Sequence, residues 1–320
     1  MKKIYLDYNV FLDILERNEY DFTIDLKNKG FVFFYSPAHI EEVARGVHCG
    51  KIKNNQAKEN LSGIHRITDG YELLPHYSSK FNILNSPYGK YGIQIAKEST
   101  LTCYKRVYRD IGFNTQAEKS QKNNIIKGQD KFSNLSEKER ENALNEINKL
   151  DPLLDILEQD DVRRKLISSF ISLEAQSDVV DELIDNNQPL NSFNDNMIRK
   201  IAILANAKIM NSNGYYDFVA EQLLSPPSKC YYKMKGKFSF VQNMVDAVIN
   251  ELMEYGYKLE GINKAVSSLH DNSHAIYATA CDYFICRDGR LISKTTAAYR
   301  YLGINTVVID GNIRDWWTEL

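Results

Sequence analysis

Four acids in this chain occupy settings from which they could act together: Asp7, Glu42, Asp271 and Asp288, two near each terminus. Asp7 ends the apolar run Ile4-Tyr5-Leu6. Glu42 closes Ser36-Pro37-Ala38-His39-Ile40-Glu41-Glu42. Asp271 opens Asp271-Asn272-Ser273-His274-Ala275, and Asp288 follows Tyr283-Phe284-Ile285-Cys286. Carboxylates forced together repel one another, so such a cluster either shares protons or binds cations. Hard oxygen donors suit Mg²⁺ or Mn²⁺. A divalent ion makes its bound water a better nucleophile at neutral pH and offsets charge on a phosphorane-like transition state. Each acid also has an ordinary reading: Asp271 as a helix N-cap, Asp7 and Asp288 as turn acids, Glu42 as a solvated helix-face charge. Only their joint occurrence points to hydrolysis.

For the four to meet, the two ends of the chain must fold together. Residues 3–6 read as a short buried strand, 10–16 as the start of a helix, and 31–35 as a second strand bounded by Gly30 and Ser36. Ser36-Pro37 is a strong helix start, with serine at the N-cap and proline at the first helical position. In that helix Ile40, Val43, Ala44 and Val47 form one apolar face, and Glu41 and Glu42 fall off it. Near the other terminus Asp271 is expected to cap a helix running through Ala280. Residues 283–286 read as a strand, 291–302 as a helix stopped by Gly303, and 306–309 as a final strand. Alternating strands and helices imply a parallel α/β sheet, whose functional residues gather beyond the carboxyl ends of the strands.

The middle differs. Residues 63–95 read as irregular, with Pro75 and Pro87. Helical patterns then dominate: Ser136-x-x-Glu139 fits a capping box, 161–171, 194–211 and 239–256 are further helices, and Pro152, Pro189 and Pro226-Pro227 mark breaks. The expected architecture is an α/β domain built from residues 1–50 and 261–320, with a large, mainly helical insertion over 51–260.

The 320 residues suffice to bury a sizeable core without disulfides. With 40 basic and 42 acidic side chains the net charge is −2, so no global basic field announces nucleic acid and any such site must be a local patch. The five cysteines are scattered without a C-x-x-C pair, which argues for buried free thiols in a reducing compartment rather than a zinc site. Neither a signal peptide nor an apolar run of about 18 residues is seen, so the expected location is cytoplasmic, with no membrane span.

These residues resemble the PIN-domain nucleases. The family's first motif, a hydrophobic strand ending in Asp-x-Asn, is similar to Leu6-Asp7-Tyr8-Asn9. Its second, a helical glutamate six residues after a serine, is similar to Ser36 and Glu42. The third, an aspartate followed at three by a frequent histidine and then small residues, resembles Asp271, His274, Ala278 and Ala280. The fourth resembles Cys281-Asp282-Tyr283-Phe284-Ile285-Cys286-Arg287-Asp288-Gly289-Arg290-Leu291. Tyr8 and Cys286 stand where the family commonly has hydroxyl residues. The resemblance spans residues 1–50 and 262–312. It implies a PIN-like fold and Mg²⁺- or Mn²⁺-dependent phosphodiester hydrolysis, usually of RNA. Asp7 would be a central metal ligand. Asp271 and Glu42 would complete the site, Asp288 would bind a second metal or position water, and Asn9 would orient Asp7. DNA cleavage, a role as toxin or defence effector, and a catalytically silent binding module are the alternatives, with a homo-oligomer or a regulatory protein as partner open.

Two further stretches suggest substrate contacts. Residues 229–238 interleave Lys229, Lys233, Lys235 and Lys237 with aromatics, which suits phosphates and stacked bases of a single strand. Lys233 and Lys235 are the candidates there, and Arg287 and Arg290, with Lys294, flank the last acid. A solvated face accounts for these charges equally well. His274 could touch substrate phosphate and His39 could act as a general acid, but both read better as packing histidines; Asp282 reads as a turn acid, and residues 117–149 as a solvated helix or arm.

Overall fold

The structure, a computed structural model, describes residues 1–75, 83–85, 92–112, 115–186, 195–225 and 228–320. The breaks expected at Pro189 and Pro226-Pro227, and Pro87 of the stretch expected to be irregular, lie outside the described residues. Along the chain run β1 (Lys2–Leu6), α1 (Tyr8–Arg17), α2 (Asp21–Asn28), β2 (Phe31–Phe34), α3 (Pro37–His48) and α4 (Asn54–Thr68). Three strands follow, β3 (Tyr71–Pro75), β4 (Ile83–Asn85) and β5 (Ile93–Lys97). Then come α5 (Thr100–Asp110), α6 (Gln116–Asp130), α7 (Glu137–Ile147), α8 (Asp160–Asp185), α9 (Asp195–Met210), α10 (Tyr215–Leu223), α11 (Cys230–Met234) and α12 (Phe238–Tyr255). The chain closes with α13 (Ala265–Ala278), β6 (Tyr283–Cys286), α14 (Gly289–Leu302) and β7 (Val307–Asp310).

The two ends do meet. Strands β2-β1-β6-β7 form one four-stranded sheet, parallel throughout, in which Tyr5 pairs with Phe34 on one side and Phe284 on the other. Such a sheet is covered on both faces, which explains why its strands are apolar runs rather than alternating ones. Period two sorts their side chains. Ile4, Leu6, Phe33 and Ile285 pack with α1, α3 and α4, whereas Tyr5, Phe34, Phe284 and Cys286 pack with α13 and Leu291 of α14. The result is an α/β protein with helices flanking a parallel sheet.

Several expectations are corrected. Helix α13 begins at Ala265, so Asp271 lies inside it and caps nothing. The stretch 63–95 holds the end of α4 and strands of a three-stranded antiparallel sheet, β3-β5-β4, joined to the parallel sheet by a bridge between Tyr35 and Glu72. Helices α4 and α5, expected in the insertion, bury Leu61, Ile64, Cys103 and Val107 in the same cluster as Ile4 and Leu6. Beyond residue 115 the described residues of the middle are mainly helical, as their pattern implies. Helix α6 buries Gln121 and Ile125 and is no solvated arm, while α7 buries nothing. Among the described residues no helix is long and apolar enough to cross a membrane.

Candidate metal centre

Strand register brings the first and last acids together. Leu6 pairs with Ile285, and the Asp7 amide continues the ladder by donating to the Ile285 carbonyl at 2.8 Å. Asp7 then takes the N-cap position of α1, but its carboxylate makes no capping bond to the helix. It points instead to the face shared by Tyr5 and Cys286, is 2 % exposed, and receives the Cys286 thiol at 3.8 Å on Oδ2.

Glu42 arrives on α3, whose start is fixed by Ser36 and an unusual capping partner. The third helical residue is His39, and its Nδ1 accepts the Ser36 amide at 3.0 Å. That acceptor role puts the ring proton on Nε2, which donates to the Leu6 carbonyl at 2.7 Å. Burial and the nearby His274 hold the His39 pKa well below the usual histidine range. His39 is therefore a neutral structural cap joining α3 to β1.

Asp271 and His274, three apart on α13, share a helical face. His274 Nε2 lies 2.8 Å from Glu42 Oε1 and 3.9 Å from Asp7 Oδ1. The neighbouring Glu41 is instead 4.0 Å from His270, so Glu42 and not Glu41 enters the cluster. One ligand atom each from Asp7, Glu42 and His274 lie within 4.8 Å of one another. Asp271 adjoins them closely enough to feel the charges of Asp7, Glu42 and Asp288. Asp288 caps α14, its Oδ1 accepting the amides of Arg290 at 2.7 Å and Leu291 at 3.1 Å.

The electrostatics are those of acids crowded away from water. Burial raises the Asp7 pKa to about 6, Glu42 adds to the rise, and His274 opposes it. Burial, then Asp7 and Glu42, push Asp271 well above the carboxylate range. Burial works against a charged His274, but its hydrogen bond to Glu42 and the fields of Glu42, Asp7 and Asp271 outweigh that and raise its pKa. Behind the imidazole, Nδ1 lies 2.9 Å from the Tyr5 hydroxyl, which is 2.6 Å from Ser36 Oγ. A ligating histidine needs such a partner on its second nitrogen to fix ring and tautomer.

His274 and Tyr5 are the residues that sequence reasoning missed. The signals were present, since His274 shares a helical face with Asp271 and Tyr5 shares a sheet face with Asp7. Most of the proposed polar contacts are engaged with other protein groups. Asn9 is exposed, and among the described residues it makes no bond to Asp7. Lys233 pairs with Glu174, and Lys235 lies 4.2 Å over the Tyr232 ring. Arg287 pairs with Asp13, while Arg290 and the buried Lys294 both pair with Glu260. Asp282 accepts the Lys3 amide at 2.6 Å, tying the turn before β6 to β1.

Two carboxylates and an imidazole converge, Asp7 and His274 buried and Glu42 half-buried; they make a donor set that fits a divalent cation, and the nitrogen favours Mn²⁺ over Mg²⁺. Comparison with protein-family models, with curated proteins and with solved structures finds no match, so the chemistry of this site is argued from its geometry.

Proposed function

We propose that the protein is a PIN-like nuclease that uses Mn²⁺ or Mg²⁺ to hydrolyse phosphodiester bonds, with RNA as the favoured substrate. The observation that carries this reading is the convergence of Asp7, Glu42 and His274 from three separate elements, with Asp271 beside them. The parallel sheet built from both ends of the chain, the position of Asp7 beyond the end of β1 and the motif spacing support it. Asp7, Glu42 and His274 would hold the cation, Asp271 would complete the site directly or through water, and Asp288 would stand toward the substrate. The bound cation would supply an activated water and offset phosphoryl charge. Tyr5 holds the His274 ring in place from behind.

One observation favours a second reading. A protonated His274 neutralises part of the acidic charge without any metal, as a silent binding module would require. Asp7→Asn separates the two. The nuclease reading expects the wild-type chain to bind Mn²⁺ by calorimetry and to cleave single-stranded RNA. The variant should lose both, at least 100-fold in rate, while keeping its circular dichroism. Parallel assays on single-stranded and duplex DNA fix the substrate. A wild-type chain that binds no Mn²⁺ at millimolar metal sinks the nuclease reading.

A further inference from the structure

A cleft of about 1050 Å³ opens directly beside Asp288, and no step of the proposed hydrolysis accounts for it. One wall is α7, the helix that buries nothing; the other is the connection after α12 together with the β6–α14 turn. Five cations line it, against Glu137, Glu141 and Asp288. Arg287 and Arg290 are held by Asp13 and Glu260 and form a fixed rim. Arg140, Lys258 and Lys264 have no ion pair among the described residues. Lys258 is also held in the left-handed region at φ 49, where glycine or asparagine would be less strained, and its amide is pinned by Asn148 Oδ1 at 2.8 Å. Strained non-glycine positions tend to mark binding sites.

We infer that this cleft binds the phosphodiester backbone of a single nucleic-acid strand leading past Asp288 into the acidic cluster. The inference rests on the nuclease reading and adds the subsite that holds the flanking nucleotides. Unpaired cations at the edge of an acidic centre draw in phosphates that the acids alone repel. A single strand fits better than a duplex, because three cations without an ion pair, of which Lys258 rests 5.7 Å over the Tyr257 ring, and a chain of net charge −2 offer no extended field for two backbones.

The test is fluorescence anisotropy with a labelled twelve-nucleotide RNA in EDTA, over a salt series, using the full chain. Arg140→Ala, Lys258→Asn and Lys264→Ala are combined; asparagine tolerates the left-handed backbone at 258. Binding should weaken on the order of tenfold or more at 0.1 M salt, and the log–log salt slope should fall by about 2, at roughly 0.7 per lost phosphate contact. A control combining Lys51→Ala, Lys53→Ala and Lys58→Ala, outside the cleft, should leave the slope unchanged. Mn²⁺ affinity by calorimetry should be equal in all three proteins. Unaltered affinity and slope in the cleft variant, tighter binding of duplex than of single strand, or no binding by the wild-type chain each overturns the inference. If Mn²⁺ binding and cleavage persist alongside such a result, the cleft assignment alone has failed. If the wild-type chain neither binds Mn²⁺ nor cleaves, the nuclease reading has failed too.

Discussion

Tyr5 has no role in chemistry, yet its hydroxyl joins Ser36 to His274 inside a fully buried pocket. Tyr5→Phe keeps the ring and removes only that hydroxyl. The partners left behind should cost about 1–2 kcal/mol of stability. Loss of the group that orients the imidazole should weaken Mn²⁺ binding by roughly 10–100-fold. Calorimetry and thermal unfolding check both, and an unchanged Mn²⁺ affinity would show that the ring is held by packing alone. Asp7 permits a second expectation, with the opposite sign for stability. Its pKa rises from 3.8 unfolded to about 6 folded, so its contribution is full below pH 4 and is lost as pH passes 6. The difference corresponds to on the order of 3 kcal/mol. Metal-free Asp7→Asn should therefore be more stable than wild type at pH 8, and the gap should close by pH 4. His274 and Asp271, also raised, act in the same direction; His39 and His270, both lowered, lose stability as pH falls through 6.5. Equal melting temperatures of wild type and variant at pH 8 would show that Asp7 carries no such burden. The acids were legible because each has flanking residues of recognisable kind. The part played by His274 was not, because its partner Glu42 lies 232 positions away and only packing of α3 on α13 joins them.

Elements whose ends are set by local chemistry were read correctly. Ser36-Pro37 starts α3, Ser136 and Glu139 form a reciprocal cap on α7, and Gly303 stops α14 at φ 76. Where the decisive contacts are distant, reading failed. Asp271 looks like a cap, but a turn over Ile262–Lys264 launches α13 earlier, and its packing on α6 and α12 sustains it. Strand β3 ends at Pro75, β5 begins opposite it at Ile93, and the two are paired antiparallel across the intervening chain. Gly303 offers a test at this scale. A Cβ there would meet the Ser228 carbonyl oxygen at 2.1 Å, and the positive φ adds strain. Gly303→Ala should cost at least about 2 kcal/mol, combining left-handed strain with a clash against backbone. A denaturant midpoint equal to wild type would mean that the 228–230 segment shifts freely.

At the scale of the whole molecule the acidic cluster and the helical middle are not independent. Helices α13 and α14 carry Asp271, His274 and Asp288, and they also bury Ala275, Ile276, Ala298 and Tyr299 in the large cluster formed by α8 and α12. The same two helices thus belong to the α/β core on one side and to the helical cluster of α8 and α12 on the other. Shared elements of this kind favour one cooperative transition. A cation held by residues 7, 42 and 274 would tie distant parts of the chain in the folded state only, and at a hundredfold excess over its dissociation constant would stabilise that state by about 2.7 kcal/mol. Calorimetric unfolding should therefore show a single peak that Mn²⁺ moves upward by a few degrees, with no movement in Asp7→Asn. Two peaks, only one of them responding to metal, would mean that the helical middle folds by itself and that the packing of α13 and α14 on α12 contributes little. A single peak that moves as one would show that metal at the rim of the sheet is felt as far as α8, through two helices that cannot leave one core without leaving the other.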